Sequence, residues 1–199
     1  MQLNLNGYTD LPAGKIAAVV TYFEMTTPPA AVADRRDDLA LRKLRTGEVD
    51  AYRDVYRRVG EEWLWFSRLS MAEKKLRKII EDPLVDVYFL GEGGEAKGLL
   101  ELDRRTPPDI ELAFFGVCPE MIGNGAGRWL MSRAIELTWA HHPRRFWLHT
   151  CTLDHPRALE FYMRSGFRPY KRAIEVADDP RLTGALPIEA GARVPVIRS

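Results

Sequence analysis

The stretch from Val117 to Arg128, VCPEMIGNGAGR, contains the residue types best suited to binding an anion. Gly123, Gly125 and Gly127 let the backbone turn tightly and let a ligand approach it closely. A helix is predicted to begin at this turn, and the unpaired N–H groups and the dipole at a helix N-terminus attract phosphate or pyrophosphate. The stretch therefore predicts an anion-binding turn. The alternative interpretation is a turn that binds nothing.

Two familiar phosphate-binding motifs do not fit this stretch. The dinucleotide-binding fingerprint requires another glycine where Arg128 stands and an acidic residue about 20 positions later. The sequence in that region reads HPRR, from His142 to Arg145. The P-loop requires Gly-Lys-Ser or Gly-Lys-Thr, which the stretch lacks.

The stretch instead resembles a signature of the GNAT superfamily of acyl-CoA-dependent N-acetyltransferases, Arg/Gln-x-x-Gly-x-Gly/Ala. Gly125 and Gly127 match its glycines, whereas Ile122 stands in place of the leading Arg or Gln. The segment from His155 to Phe167 resembles the second signature, Asn-x-x-Ala-x-x-x-Tyr-x-x-x-Gly-Phe, with His in place of Asn. The resemblance covers about residues 38 to 176.

The resemblance implies that acetyl-CoA binds as a cosubstrate and that no metal is needed. Backbone N–H groups of the glycine-rich turn would hold its pyrophosphate, and its pantetheine arm would pair with the preceding strand like an extra strand. An N–H group near Phe115 would polarise the thioester carbonyl. The cofactor-binding residues predicted on this basis are Phe115, Val117, Gly123, Asn124, Gly125, Ala126, Gly127, Arg128 and His155.

The chemistry of amine acylation requires a base, because a free alkyl amine is protonated below a pKa of about 10.4. Glu111 stands six residues before Val117, where some GNAT enzymes place their general base, and we predict that role for it. A solvated carboxylate or a structural ion pair is the alternative interpretation of Glu111. His149 and His155 are the alternative bases, although His155 could also cap a helix.

The resemblance also implies a general acid. Tyr162 matches the family tyrosine that protonates the departing CoA thiolate, and its alternative role is that of a packed aromatic residue. Cys118 and Cys151 are interpreted as buried apolar side chains rather than nucleophiles.

The acceptor is predicted less closely than the donor. The segment from Glu61 to Phe66, EEWLWF, falls where the family forms its acceptor wall, and it would suit a cationic amine with a hydrophobic part. Core packing is the alternative for these aromatic residues. The resemblance implies transfer of an acetyl group from acetyl-CoA to a primary amine by direct attack, and we expect a small-molecule amine or a peptide amine as acceptor. A non-catalytic acyl-CoA-binding module of the same fold is the alternative function.

Regular elements that could position these residues follow from the apolar periodicity and from turn residues. Helices are predicted at residues 47–59, 125–140 and 156–165, and a further helix is predicted to follow the capping box Ser70–Glu73. Thr46 is the predicted cap of the first helix. Strands are predicted at residues 15–25, 39–44, 85–90, 97–102, 110–117 and 146–151, and within 167–176 and 193–197. This order predicts an α/β (α+β) fold. Its GNAT-like core is a mixed, mostly antiparallel, twisted sheet with helices on both faces.

The chain is expected to divide into an N-terminal extension, residues 1–35, with one strand, and a GNAT-like acetyltransferase domain, residues 36–199. A linker is predicted at Thr26–Asp34, where Pro28 and Pro29 interrupt any regular element.

Composition limits the classes of partner. With 199 residues and 46% hydrophobic composition the chain can bury a sizeable core, and 29 basic against 28 acidic residues argue against a nucleic-acid binder. The first residues lack the pattern of a signal peptide, and no apolar run approaches the length of a membrane helix. Two cysteines without a metal-binding spacing suit a reducing compartment. We therefore expect a cytoplasmic protein with no membrane partner, and a homodimer as its candidate assembly.

Overall fold

The fold is a seven-stranded sheet with helices on both faces, in a computed structural model that describes residues 2–30, 36–92 and 94–198. The strands are β1 Lys15–Met25, β2 Leu39–Lys43, β3 Val85–Glu92, β4 Glu95–Asp103, β5 Asp109–Val117, β6 Arg145–Cys151 and β7 Arg168–Asp178. The helices are α1 Val49–Gly60, α2 Glu73–Ile80, α3 Ala126–Trp139 and α4 Ala158–Arg164. The predicted fold class is confirmed.

The strand order in the sheet is β2-β3-β4-β5-β6-β1-β7. Only β5 and β6 pair in parallel among these neighbours, and every other pair is antiparallel. α3 connects β5 to β6, as a parallel connection requires. The sheet is therefore mixed and mostly antiparallel.

The strand predicted within the N-terminal extension lies inside this sheet. β1 has the predicted bounds, and it is hydrogen-bonded to β6 on one side and to β7 on the other. The division of the chain at residue 35 stays a prediction. In the structure, the strand of the predicted extension pairs with two strands of the predicted domain. The predicted linker is irregular at residues 26–30, and residues 31–34 lie outside the described residues.

Two hydrophobic cores lie on opposite faces of the sheet. α1 and α2 cover one face through a cluster that includes Tyr52, Tyr56 and Leu76, and this is called the α1 face below. α3 and α4 cover the other through a cluster that includes Leu130 and Tyr162, called the α3 face. Because strand side chains alternate between faces, each residue of β5 is assigned to one of the two cores.

β5 and β6 separate soon after they begin to pair. Their register covers only Asp109, Ile110 and Glu111 of β5, opposite Arg145, Phe146 and Trp147. On the other side, β5 stays paired with β4 as far as Val117. The result is a gap beside the second half of β5, which opens the sheet between its two faces.

A β-bulge at Ala113 changes the side-chain alternation along β5. Glu101 of β4 pairs with Phe114, and the next residue, Leu102, pairs with Leu112, so Ala113 is the extra residue. Leu112 and Phe115 consequently both pack on the α3 face, and Phe114 packs on the α1 face. Glu111, next to Leu112, is therefore directed to the α1 face.

The caps predicted for the first two helices are wrong. α1 begins at Val49 rather than after Thr46, because the Glu48 carboxylate accepts a hydrogen bond from the Arg45 N–H at 2.9 Å and forms the preceding turn. α2 begins at Glu73 after Ala72, because Ser70 belongs to an earlier turn in which its N–H donates to the Phe66 carbonyl.

The strand predicted at residues 193–197 is also wrong, since this segment is irregular. Leu186 and Ala190 of the C-terminal segment pack instead on Ile16 and Leu64. Arg181 holds the segment in place through Asp179 and through the carbonyls of residues 190, 191 and 194. In the described part of the chain, no helix combines the length and apolarity needed to cross a membrane.

Candidate active site

A cavity of about 1210 Å³ follows the gap beside β5 and opens on both faces of the sheet. Most of the predicted site residues line it: Glu111, Phe115, Val117, Gly123, Gly125, Gly127, Arg128, His155 and Tyr162. Asn124 and Ala126 are predicted binding residues that do not line it. The fold thus brings together residues from β5, the start of α3 and α4.

The glycine-rich turn has the conformation that its sequence predicts. Gly123 and Gly125 have φ angles of 91° and 92°, in the left-handed region that favours glycine. A Cβ atom at Gly123 or Gly127 would meet nothing within 4 Å, so the backbone there is open to a ligand. α3 begins at Ala126, directly after this turn.

Asn124 and Ala126 contact each other instead of the cavity. The Ala126 N–H donates to the Asn124 Oδ1 atom at 3.0 Å, so this first N–H of α3 already has a partner within the chain. Ala126 is also fully buried. The Asn124 side chain therefore shapes the turn rather than lining the cavity.

The free edge of β5 faces the gap. The Cys118 N–H donates to the Lys97 carbonyl, which places the N–H of Cys118 on the β4 side. Backbone N–H and C=O groups alternate between the two edges of a strand, so those of Val117 and Phe115 are directed to the opposite edge. These groups are where an extended ligand could pair with β5.

Glu111 and His149 form an ion pair at the α1-face mouth of the gap. The Glu111 Oε1 atom lies 3.6 Å from His149 Nδ1. The Glu111 carboxylate raises the pKa of His149 above its ordinary value of 6.5, and the charges of Asp154 and Glu175 act in the same direction. Glu111, the predicted base, and His149, one of its two alternatives, are thus neighbours that can share a proton.

Tyr162 lies on the other side of the gap, within the α3-face core. Its ring centroid is 6.3 Å from that of Phe115 and 6.0 Å from that of Phe23. Burial raises the pKa of the Tyr162 hydroxyl well above its ordinary value, so the group keeps its proton at neutral pH. Tyr162 both packs in the core and lines the cavity, which combines its two sequence interpretations.

His155 occupies the position of the family asparagine at the start of α4. Its Nδ1 atom accepts a hydrogen bond from the Arg157 N–H at 3.1 Å. Burial, together with Arg157 and Arg193, lowers the pKa of His155. The neutral ring thus holds the turn before α4, but α4 begins at Ala158 with Arg157 as its N-cap and no side-chain cap, so the predicted capping role of His155 is wrong.

Aromatic rings form the wall of the cavity on the α1 face. The Phe114 ring lies 4.9 Å from that of Tyr56 and 5.4 Å from that of Trp65. The Arg68 guanidinium lies 4.9 Å from the Phe114 ring centroid and donates to the fully buried Glu101 carboxylate at 2.5 Å. The wall is thus partly core, as the alternative interpretation predicts, and partly cavity lining.

Sequence reasoning missed Asp154 and Glu175, two carboxylates in the cavity lining near His149. Asp154 accepts hydrogen bonds from Trp65 Nε1 at 3.0 Å and from Thr150 Oγ1 at 2.6 Å. Its position just after a strand and before His155 is a signal that could have indicated it. Glu175 lies in β7, where nothing in the local sequence marks it.

The two cysteines are free thiols. Cys118 is buried, and burial raises its pKa. Burial raises the pKa of Cys151 to about 11, which leaves little thiolate at neutral pH. Among the described residues, no group of His, Cys, Asp and Glu side chains is arranged to hold a metal ion.

The sequence matches the model of one protein family. The Acetyltransferase (GNAT) family model matches residues 50–167. No curated protein matches the chain.

Several solved structures share the fold. The GCN5-related N-acetyltransferase from Sphaerobacter thermophilus has a TM-score of 0.63 and 15% identity, over 81% of this chain and 51% of that protein. The chain thus spans about half the length of that relative. AAC(6')-Iy, solved with the bisubstrate analogue CoA-S-monomethyl-acetylneamine, has a TM-score of 0.55 and 14% identity, over 68% and 94% of the two chains.

An aminoglycoside acetyltransferase from an uncultured soil metagenomic sample, in complex with trehalose, is a third structural neighbour. Its TM-score is 0.53 at 14% identity, over 65% of this chain and 88% of that one. At such identities these likenesses are of fold alone.

Proposed function

The chain belongs to the acetyltransferase (GNAT) family, and from that premise we propose that it transfers an acetyl group from acetyl-CoA to a primary amine. The observation that carries the proposal is the gap between β5 and β6, which joins a glycine-rich anion-binding turn to the Glu111–His149 pair. A donor and an acceptor approaching from opposite faces of the sheet would meet there.

The residues on the α3 side of the gap fit acetyl-CoA. The open backbone at Gly123 and Gly127 and the side chain of Arg128 would hold a pyrophosphate. The free edge of β5 at Phe115 and Val117 would pair with the pantetheine arm, and the Phe115 N–H would polarise the thioester carbonyl.

Proton transfers at the acceptor nitrogen and at the sulfur complete the reaction. The Glu111–His149 pair accepts a proton from the ammonium group of the acceptor, directly or through water, so that its nitrogen can form a bond to the thioester carbon. The carbon–sulfur bond then breaks, and the Tyr162 hydroxyl donates a proton to the departing thiolate. The nitrogen releases its second proton to solvent as the amide forms, and Tyr162 is reprotonated from solvent. Because the Glu111–His149 pair and Tyr162 lie on opposite sides of the gap, the base would be beside the amine and the acid beside the sulfur.

The charges on the α1 face favour a cationic acceptor. Glu111, Asp154 and Glu175 line this part of the cavity, while the Arg68 guanidinium is paired with Glu101. A small-molecule amine with a hydrophobic part fits carboxylates beside the Tyr56–Trp65–Phe114 wall, and a peptide amine is the second choice. A structural neighbour named as an aminoglycoside acetyltransferase supports an amine acceptor of this charge.

Calorimetric titration with acetyl-CoA, followed by a screen of amines for thiol release, tests the proposal. We expect saturable micromolar binding and turnover with at least one cationic amine. Binding without turnover across the panel would indicate a non-catalytic acyl-CoA-binding module. Absence of binding to folded protein would contradict both functions. A homodimer and a cytoplasmic location stay predictions.

A further inference from the structure

The glycine-rich turn is contacted by an arginine from a distant part of the sequence. Arg36 Nη1 donates a hydrogen bond to the main-chain carbonyl of Asn124 at 2.9 Å, across 88 positions of sequence. A Cβ atom at Gly125 would lie 3.4 Å from Arg36 Nη1. Arg36 precedes β2 and lies outside the segment that matches the family model.

The guanidinium of Arg36 is itself held in a fixed orientation. Its Nε and Nη2 atoms donate to the two carboxylate oxygens of Asp38 at 2.8 and 2.6 Å. A planar guanidinium held by two hydrogen bonds to one carboxylate has little rotational freedom. The Asp38 carboxylate therefore directs the Nη1 group of Arg36 at Asn124.

The hydrogen bond to Asn124 determines where the next N–H group is directed. The peptide bond between Asn124 and Gly125 is trans, so its C=O and N–H groups lie on opposite sides. Arg36 does not line the cavity, whereas Gly125 does. Holding the carbonyl away from the cavity therefore turns the Gly125 N–H towards it.

The contact of Arg36 with Asn124 matters for anion binding because Ile122 departs from the family signature. Ile122, which lines the cavity, has no polar group to offer where the signature has Arg or Gln. The turn must therefore bind an anion mainly through its backbone, and the orientation of its peptide groups becomes decisive.

We propose that Arg36, oriented by Asp38, is a positioning residue for the pyrophosphate of acetyl-CoA: it holds the Asn124 carbonyl outward and so presents the Gly125 N–H to the ligand. The inference rests on the proposed use of acetyl-CoA. It assigns a donor-binding role to a residue whose own side chain does not enter the cavity.

Comparison of two acyl donors tests this role. Acetylpantetheine carries the thioester but lacks the pyrophosphate and the nucleotide, so it does not use the turn. In R36A we expect the Kd for acetyl-CoA to rise about tenfold, the order of effect of one hydrogen bond to a charged group. We expect an unchanged kcat at saturating acetyl-CoA and an unchanged kcat/KM for acetylpantetheine.

R42A is the matched control, because Arg42 also forms an exposed ion pair, with Glu48 at 2.7 Å, but does not contact the turn. It should leave both donors unaffected. D38A, which frees the Arg36 fork, should weaken acetyl-CoA binding in the same direction and replaces R36A if that variant does not fold.

The outcomes separate this inference from the proposed function. An unchanged Kd for acetyl-CoA in R36A, or an equal loss with both donors, would overturn the positioning role alone. Wild-type protein that does not bind acetyl-CoA would overturn the proposed function and this inference with it.

Discussion

At the scale of single residues, the proposed role of Tyr162 is to protonate the leaving thiolate. Its hydroxyl keeps its proton because burial raises its pKa, and its ring is fixed between Phe23 and Phe115. We expect Y162F to lower turnover about 10²-fold, the lower end of general acid catalysis, with an unchanged Kd for acetyl-CoA.

Steady-state kinetics together with calorimetry check this prediction, and Y170F is the control. Tyr170 is 41% exposed and does not line the cavity, so its variant should behave as wild type. Full turnover in Y162F, with chemistry shown to limit the rate, would remove Tyr162 from the mechanism.

The Glu111–His149 pair predicts a pH dependence. Because Glu111 raises the pKa of His149, the imidazole stays protonated above pH 6.5 and can act as a base only above its raised pKa. The acidic limb of kcat/KM should therefore have its midpoint above 6.5 in the wild type, and in E111Q it should move to lower pH.

NMR titration of the His149 ring, alongside pH–rate profiles, measures this shift. E175Q is the graded control, because Glu175 acts on His149 only through its charge and is the weakest of the three carboxylates. Identical profiles for wild type and E111Q would exclude Glu111 from the proton transfer.

At the scale of elements, α1 packs directly against β5 beside the aromatic wall of the cavity. A Cβ atom at Gly116 would lie 2.5 Å from Val59 Cγ1, so α1 can approach β5 only over a glycine. We expect G116A to lower the free energy of unfolding by about 1–3 kcal/mol, the usual range for overpacking.

Urea denaturation of the ligand-free protein measures this loss. G127A is the control, since a Cβ atom there meets nothing within 4 Å. If G116A were as stable as G127A, the packing of α1 against β5 would be looser than described.

The starts of α1 and α2 show that residue type alone does not predict a helix cap. Thr46 and Ser70 have the residue types of helix caps, yet neither side chain caps its helix. Glu48 instead binds the Arg45 N–H, and the turn from Phe66 to Ser70 takes the Ser70 N–H. Side-chain capping is decided by competing turns that residue types alone do not rank.

At the scale of the whole molecule, the C-terminal segment packs on β1 and on Leu64, beside the aromatic wall of the cavity. Leu186 is 4% exposed and packs with Ile16 and Leu64. Arg193 donates to the carbonyls of Leu153 and Asp154, in the loop after β6.

We expect L186A to lower the free energy of unfolding by about 2–5 kcal/mol, because it removes a buried leucine side chain. L182A, at a leucine that is 39% exposed, should change it by less than about 0.5 kcal/mol. Denaturation curves compare the two variants, and equal stabilities would mean that the segment does not pack on Ile16 and Leu64 in solution.

The sequence by itself determined the features that depend on neighbouring residues. The apolar periodicity predicts β1 with its bounds and the helices within a few residues, because side-chain alternation is a local property. The spacing of Gly123, Gly125 and Gly127 predicts the turn before α3, because its backbone conformation requires glycine at Gly123 and Gly125.

Only the tertiary structure decided which distant residues meet. The interior position of β1, the pairing of Glu111 with His149 and the contact of Arg36 with Asn124 depend on strand order and register. The bulge at Ala113 assigns Glu111 and Phe115 to opposite faces of the sheet. These contacts join segments far apart in sequence, and the free energy that selects them comes from packing the whole sheet rather than from any local pattern.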